Sequence, residues 1–308
     1  MRTPTAFYIL HHQDSAGFGS EVNNLLYGIY FFERHGLDYC LSSINWVSAY
    51  REGWCDYFES LRDRHTALPY RWGLIDRLLH YSQRQRLRQS PKTYRRINRR
   101  ILTPLLYALC TDRCYLRGRP TFSVIRRYAR RQRAKDGAAF HAHIHSIASR
   151  IWVPRPAIVA LAATCVPDIP YVAVHIRRGD KVETGEDRSY ALHEYELAIR
   201  RVAGAVREVF LMTDDRRLIE AFCDRLPEFR VHTLPGTATG GYSQDMFKLA
   251  GPEGVRTSTI HLIAELEIAR HAEVFVGTFR SNIFRLLDYL RPGGCIDISA
   301  EQAAASEL

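Results

Sequence analysis

The stretch Tyr171-Val-Ala-Val-His-Ile-Arg-Arg-Gly-Asp-Lys181 limits the fold more than any other part of the chain. From Tyr171 to Ile176 it is apolar or aromatic with one imidazole, and it lacks the period-2 alternation of a half-exposed strand. Such a run suits a parallel strand covered on both faces. Polarity then switches abruptly to Arg177, Arg178, Gly179, Asp180 and Lys181. In an open α/β sheet ligands bind just beyond the carboxyl ends of the strands. Three cations at such an end call for an anion with several oxygens, and Arg offers a planar fork for phosphate. Asp180 can hold one guanidinium in place, and Gly179 lets backbone approach closely. The plainer alternative is a solvated Arg/Asp turn.

A length of 308 residues accommodates two domains. The predicted units are residues 1–160, with an Arg-rich helical insertion at 60–145, and residues 161–308. The net charge of +10 implies anionic partners. Almost all of it is Arg, since Lys occurs only at positions 92, 135, 181 and 248. An acidic glycan or an anionic membrane surface fits this balance, and nothing marks a specific nucleic acid. Seven scattered cysteines include Cys110 and Cys114, which lack a second ligand pair at metal-site spacing. No metal or cofactor is expected, and reduced, packed thiols in a cytoplasm fit best. No apolar run reaches membrane-spanning length.

Taken in order, Ala6–Leu10 reads as a strand that opens into the Gly17–Gly19 loop, then a helix from Ser20 to Arg34. Strand, glycine loop and helix point amides at an anion. Leu37–Leu41 is a second strand. The rings of Trp46 and Trp54 read as core filler. Helices with a solvated basic face are expected over 60–135. His141, His143 and His145 fall on different faces of one helix, which argues against a metal site. Trp152–Pro156 breaks that helix, and Ile158–Cys165 resumes it.

Beyond Tyr171 strands alternate with helices. Ser189 is the predicted cap of a helix over Tyr190–Val206. Val209–Met212 is a strand, and Thr213-Asp214-Asp215 caps a helix to about Arg225. Phe229–Leu234 is a strand, and Gly236–Gly254 a long polar loop. A helix over Thr257–His271, a strand over Glu273–Gly277, a helix from Asn282 to Leu290 and a strand at Ile296–Ile298 complete the pattern. The fold class is α/β with parallel, doubly wound sheets.

His175-Ile-Arg-Arg-Gly-Asp-Lys181, Thr213-Asp-Asp215 and Thr278-Phe-Arg-Ser-Asn282 resemble successive motifs of the GDP-fucose-dependent α1,6-fucosyltransferases. That family includes the eukaryotic N-glycan core enzyme and the rhizobial nodulation-factor enzyme. Gly17-Phe18-Gly19-Ser20, Asn45-Trp46 through Trp54, and Trp152–Pro156 match it in the same order. The likeness covers roughly residues 14–60 and 150–290.

The resemblance implies a GT-B-like pair of Rossmann-like domains facing across a cleft, with GDP-fucose as donor and catalysis that inverts and needs no metal. Arg177 then meets the β-phosphate with Arg178 beside it, while Gly17, Phe18, Gly19 and Ser20 close over the diphosphate. Glu265, where the core enzyme has Asp, accepts from guanine N1 and N2, with His175 near the base. Ser281 contacts a phosphate beside Thr278, and Asp214 and Asp215 order the site. Charge grows on the departing GDP, and Arg177 is placed to stabilise it. Glu186 is the candidate base with Lys181 nearby; Glu183 and Asp214 are its rivals. The acceptor is a glycan or lipid-linked saccharide, met in the cytoplasm or at the membrane surface. Two alternatives stand: a transferase using another GDP-sugar, and a non-catalytic binder of acidic polymer on a transferase scaffold.

Overall fold

The computed structural model describes residues 7–9, 17–36, 41–43, 46–59, 115, 116, 118–178, 190–235, 247 and 250–300. Two parallel sheets organise them, as an α/β, GT-B-like chain requires. In the smaller sheet β1 (Phe7–Ile9) lies between β2 (Leu41–Ser42) and β3 (Tyr115–Leu116). Helix α1 (Phe18–Arg34) follows β1, and α2 (Gly118–Lys135), α3 (Gly137–Ile151) and α4 (Pro156–Ala163) follow β3.

The larger sheet has five parallel strands. At its centre β4 (Tyr171–Ile176) lies between β5 (Glu208–Thr213) and β7 (Val274–Gly277). Outside these lie β6 (Arg230–His232) and β8 (Cys295–Asp297). Helices α5 (Leu192–Ala203) and α6 (Leu218–Arg225) join the first strands; α7 (Gly251–His271) and α8 (Asn282–Leu290) join the last.

All six residues of β4 are buried because helices cover both sheet faces. Tyr171 and Ala173 pack with Phe210, Met212 and Phe275 against α7 and α8, and that core continues into α1 and α3. Val172, Val174 and Ile176 turn the other way, onto α5 and α6. Pleat alternation therefore assigns His175 to the α7 side. At the foot of α7, buried Arg291 donates to the carbonyls of Ala269, Arg270 and Glu273 at 2.8–3.0 Å. It satisfies carbonyls that a helix end leaves open.

Several boundaries differ from the sequence reading. Helix α1 begins at Phe18 with Gly17 as its N-cap, so Gly19 is helical and not part of a loop. A Cβ on Gly19 would lie 3.0 Å from Ile283 Cδ1, so close helix packing accounts for that glycine. Helix α5 is capped by Ala191, whose N–H donates to Glu194, and not by Ser189, which lies outside the described residues. Helix α6 begins at Leu218 with Arg217 as its N-cap, and not with the expected Thr213-Asp214-Asp215 cap. Helix α7 starts at Gly251, so residues expected in a polar loop are helical. Pro252 marks a helix start here and not a break, because a first turn has no use for its N–H. The rest of the Gly236–Gly254 loop except Phe247 and Ala250, and the Arg-rich stretch 60–114, lie outside the described residues.

The aromatic reading fits. Trp54 stacks on Phe58 at 4.0 Å between centroids, and Trp46 meets Trp54 edge-on at 5.9 Å. Trp152 joins them and donates from Nε1 to Glu267 at 3.0 Å, tying the N-terminal aromatics to α7. The three histidines of α3 are partnered: His141 with Asp288, His143 with Glu33, and His145 with the carbonyl of Tyr289. Among the described residues the thiols of Cys55, Cys165, Cys223 and Cys295 are free. No described helix is long and apolar enough to cross a membrane.

Candidate functional site

The carboxyl ends of β4, β5 and β7 gather Arg177, Arg178, Asp214, Asp215 and Thr278 at one edge. Parallel register does this, since Ile176 sits beside Thr213 and Val174 beside Val276. Asp214 accepts the main-chain N–H of Arg178 at 2.7 Å, joining the first two loops. Asp215 takes both prongs of Arg217 at 2.8 Å and the Arg217 N–H at 3.1 Å. Those bonds hold its carboxyl below the ordinary range. Asp297 does the same bracing for the last loop, accepting the N–H groups of Phe279 and Ser299 at 3.0 Å.

The α7 face of this edge holds two buried ionisable groups. His175 has a solvent-inaccessible Nδ1 with no hydrogen-bond partner. Burial, assisted by the charge of Arg177, pulls its pKa down to about 3, so the ring is neutral. Glu265 exposes 9 % of its surface. Burial pushes its carboxyl up to about 8, countered by Arg216 and reinforced by Asp214. A carboxyl stripped of water without an ion pair is costly and marks a functional candidate.

Helix α1 meets the same edge. Its first turn, Phe18, Gly19 and Ser20, packs beside the start of α8, where Asn23 donates to the Asn282 carbonyl at 2.9 Å. Gly17 through Ser20 thus present a helix N-terminus next to a second one, both suited to an anion. Ser281 is fully buried and caps α8, its hydroxyl accepting from Ile283 N–H at 3.2 Å. Thr278 is also buried, and its carbonyl accepts from Ser281 N–H at 3.0 Å. Asp180, Lys181, Glu183 and Glu186 lie outside the described residues.

Several contributors carry no motif. Buried Glu21 accepts from Val47 N–H at 2.8 Å and Ser48 Oγ at 2.9 Å, anchoring the aromatic segment to α1. Arg133 lies 4.5 Å over the ring of Phe279, so the basic end of α2 reaches the β7–α8 loop. Arg216, which faces Glu265, was hidden in the Arg-rich background. Helical periodicity signals Glu21 only as a polar residue on an apolar face. Among the described residues no three His, Cys, Asp or Glu side chains are grouped to hold a metal ion.

No family model matches the chain, and no curated protein matches its sequence. Solved structures do. The fucosyltransferase NodZ from Bradyrhizobium aligns over 97 % of both chains at 16 % identity, with a TM-score of 0.51. POFUT1 in complex with GDP-fucose aligns over 96 % of both chains at 12 % identity and 0.53. The POFUT1 complex with GDP gives 96 % of this chain, 97 % of that one, 11 % identity and 0.51. Identities this low establish the fold alone: this chain has the fold of the fucosyltransferase NodZ and of POFUT1.

Proposed function

We propose that the protein is a glycosyltransferase that moves fucose from GDP-fucose to a glycan hydroxyl, with inversion and without a metal ion. The observation that carries this reading is Glu265, a buried carboxyl facing the strand edge that holds Arg177, Arg178 and Arg216. A carboxylate at one end suits the two N–H donors of guanine, and guanidiniums at the other suit a diphosphate. The fold neighbour NodZ is a fucosyltransferase, and one POFUT1 structure holds GDP-fucose, which supports the same donor.

In the reaction, the acceptor oxygen bonds to the sugar carbon as the carbon–oxygen bond to GDP breaks. GDP leaves with the electron pair, and Arg177 stabilises the charge it gains. The acceptor proton goes to Glu186, with Glu183 and Asp214 as rivals. A glycan or lipid-linked saccharide, met in the cytoplasm or at a membrane surface, completes the reading. Another GDP-sugar as donor would use the same site.

The exposed residues Arg127, Arg130, Arg131 and Lys135 on α2 favour a second reading, binding of acidic polymer. Thermal unfolding with GDP, UDP, CMP and heparin separates the two, because a ligand of the native state raises Tm. Stabilisation by GDP and not by UDP or CMP is expected. Equal stabilisation by UDP, or by heparin alone, would overturn the donor assignment.

A further inference from the structure

Beyond Glu265, α7 carries a second polar side chain, half-buried, with one ring nitrogen unpartnered. His261 lies one turn toward the helix N-terminus, and residues four apart share a helix face. Its Nδ1 is solvent-inaccessible and has no hydrogen-bond partner. Burial lowers the ring's pKa, so the imidazole is neutral, with one donor and one acceptor.

The height of His261 follows from the sheet. Tyr171 at the foot of β4 donates its hydroxyl to the Ile268 carbonyl of α7 at 2.7 Å. Helix α7 runs opposite to the strands, since β7 follows it and lies parallel to β4. Seven residues back from Ile268, at about 1.5 Å each, raise His261 by about 10 Å toward the carboxyl edge. Four residues along β4, at about 3.3 Å each, raise His175 by about 13 Å on the same sheet face. Glu265 lies between the foot of the sheet and these two rings. Buried His175 and Glu265 and half-buried His261 thus share this side of the sheet, and both rings carry an unpartnered nitrogen. Orphaned buried polar atoms are rare, and each calls for a partner.

We propose that His261 is a specificity residue for the nucleobase, its ring N–H meeting the O6 acceptor of guanine while Glu265 accepts from N1–H and N2–H. The proposal rests on the donor reading above. Glu265 uses the donor side of the base edge and leaves O6 without a partner; a neutral imidazole one turn away supplies it. Uridine offers O4 and N3–H but sets its O2 acceptor against the carboxylate where guanine has a second donor, and cytidine reverses the pattern.

The test uses calorimetry on the full chain with three probes: GDP, IDP (which lacks the 2-amino group) and 6-thio-GDP (in which a weak acceptor replaces O6). Wild type should prefer GDP over both. His261→Phe should weaken GDP roughly 10-fold. It should keep the preference over IDP, which belongs to Glu265, and lose the preference over 6-thio-GDP. His261→Gln, which retains a donor, should recover part of that preference, and it serves alone if the Phe variant fails to fold. Wild type that binds GDP, with variants that keep the full preference over 6-thio-GDP, overturns the His261 assignment alone and leaves a packing histidine. Wild type indifferent to GDP overturns the donor reading as well.

Discussion

The carboxylate of Asp214, at the end of β5, accepts the main-chain N–H of Arg178, just past the end of β4, at 2.7 Å. One hydrogen bond therefore fixes two site loops relative to each other. That geometry separates the two roles open to Asp214. As a bracket it needs only an acceptor oxygen, which Asn also has; as a general base it needs a titratable group. Asp214→Asn should retain most turnover, and Asp214→Ala should lower Tm and nucleotide affinity by freeing a half-buried N–H, at a cost of about 1 kcal/mol. Loss of turnover in Asp214→Asn with GDP affinity intact would instead identify Asp214 as the base.

Glu265 and His175 give opposite pH dependences to stability. Between pH 4.5 and about 8 the folded chain keeps a proton on Glu265 that the unfolded chain has released, so stability falls as pH rises. Between about 3 and 6.5 the unfolded chain holds a proton on His175 that the folded chain lacks, so stability rises with pH. The slopes oppose each other from 4.5 to 6.5, and above 6.5 Glu265 acts alone. Urea midpoints should fall between pH 6.5 and 8, by at most about 2 kcal/mol in stability. Glu265→Gln should flatten that decline; parallel wild-type and mutant profiles would remove Glu265 as its source. Only the ionised carboxyl accepts with both oxygens, as the two N–H donors of guanine require, so GDP affinity should climb over the same interval.

Gly53 tests the aromatic segment. Its φ is +74°, and a Cβ there would lie 2.3 Å from the Ser43 carbonyl oxygen. The obstacle is backbone, which cannot swing aside. Gly53→Ala should therefore lower Tm by roughly 5 °C or more, disturbing Trp54 beside it. An unchanged Tm and unchanged tryptophan emission would show that the segment relaxes freely.

Legibility followed physical contrast. β4 stood out because six buried residues meet two arginines without transition, and α8 because Ser281 precedes an apolar run. Helix starts at Phe18 and Gly251 were obscured, since glycine and proline read as breakers until packing shows Gly19 against Ile283. The burial of Glu265 and the unpartnered Nδ1 of His261 have no sequence signature: they depend on what surrounds those side chains in space. Glu21, Arg133 and Arg216 were concealed for a related reason, because their partners lie far away along the chain or in an Arg-rich background.

Arg177 separates binding from chemistry. It lies one residue past β4, beside a His175 ring kept neutral partly by its charge. It should contact the donor's diphosphate and hold the departing GDP still more strongly, because charge grows there as the bond breaks. Interactions that strengthen in the transition state appear in turnover as well as in affinity. Arg177→Ala should lower kcat by roughly 100-fold or more and weaken GDP. Arg177→Lys should recover little, since a point charge does not reproduce a two-pronged contact. Glu186→Gln should leave GDP affinity nearly intact while turnover falls. Steady-state kinetics at saturating donor, with calorimetry on the same variants, distinguishes these patterns. Normal turnover in Arg177→Ala would remove the strand-end site as a whole, whereas normal turnover in Glu186→Gln would only move the base to Glu183 or Asp214.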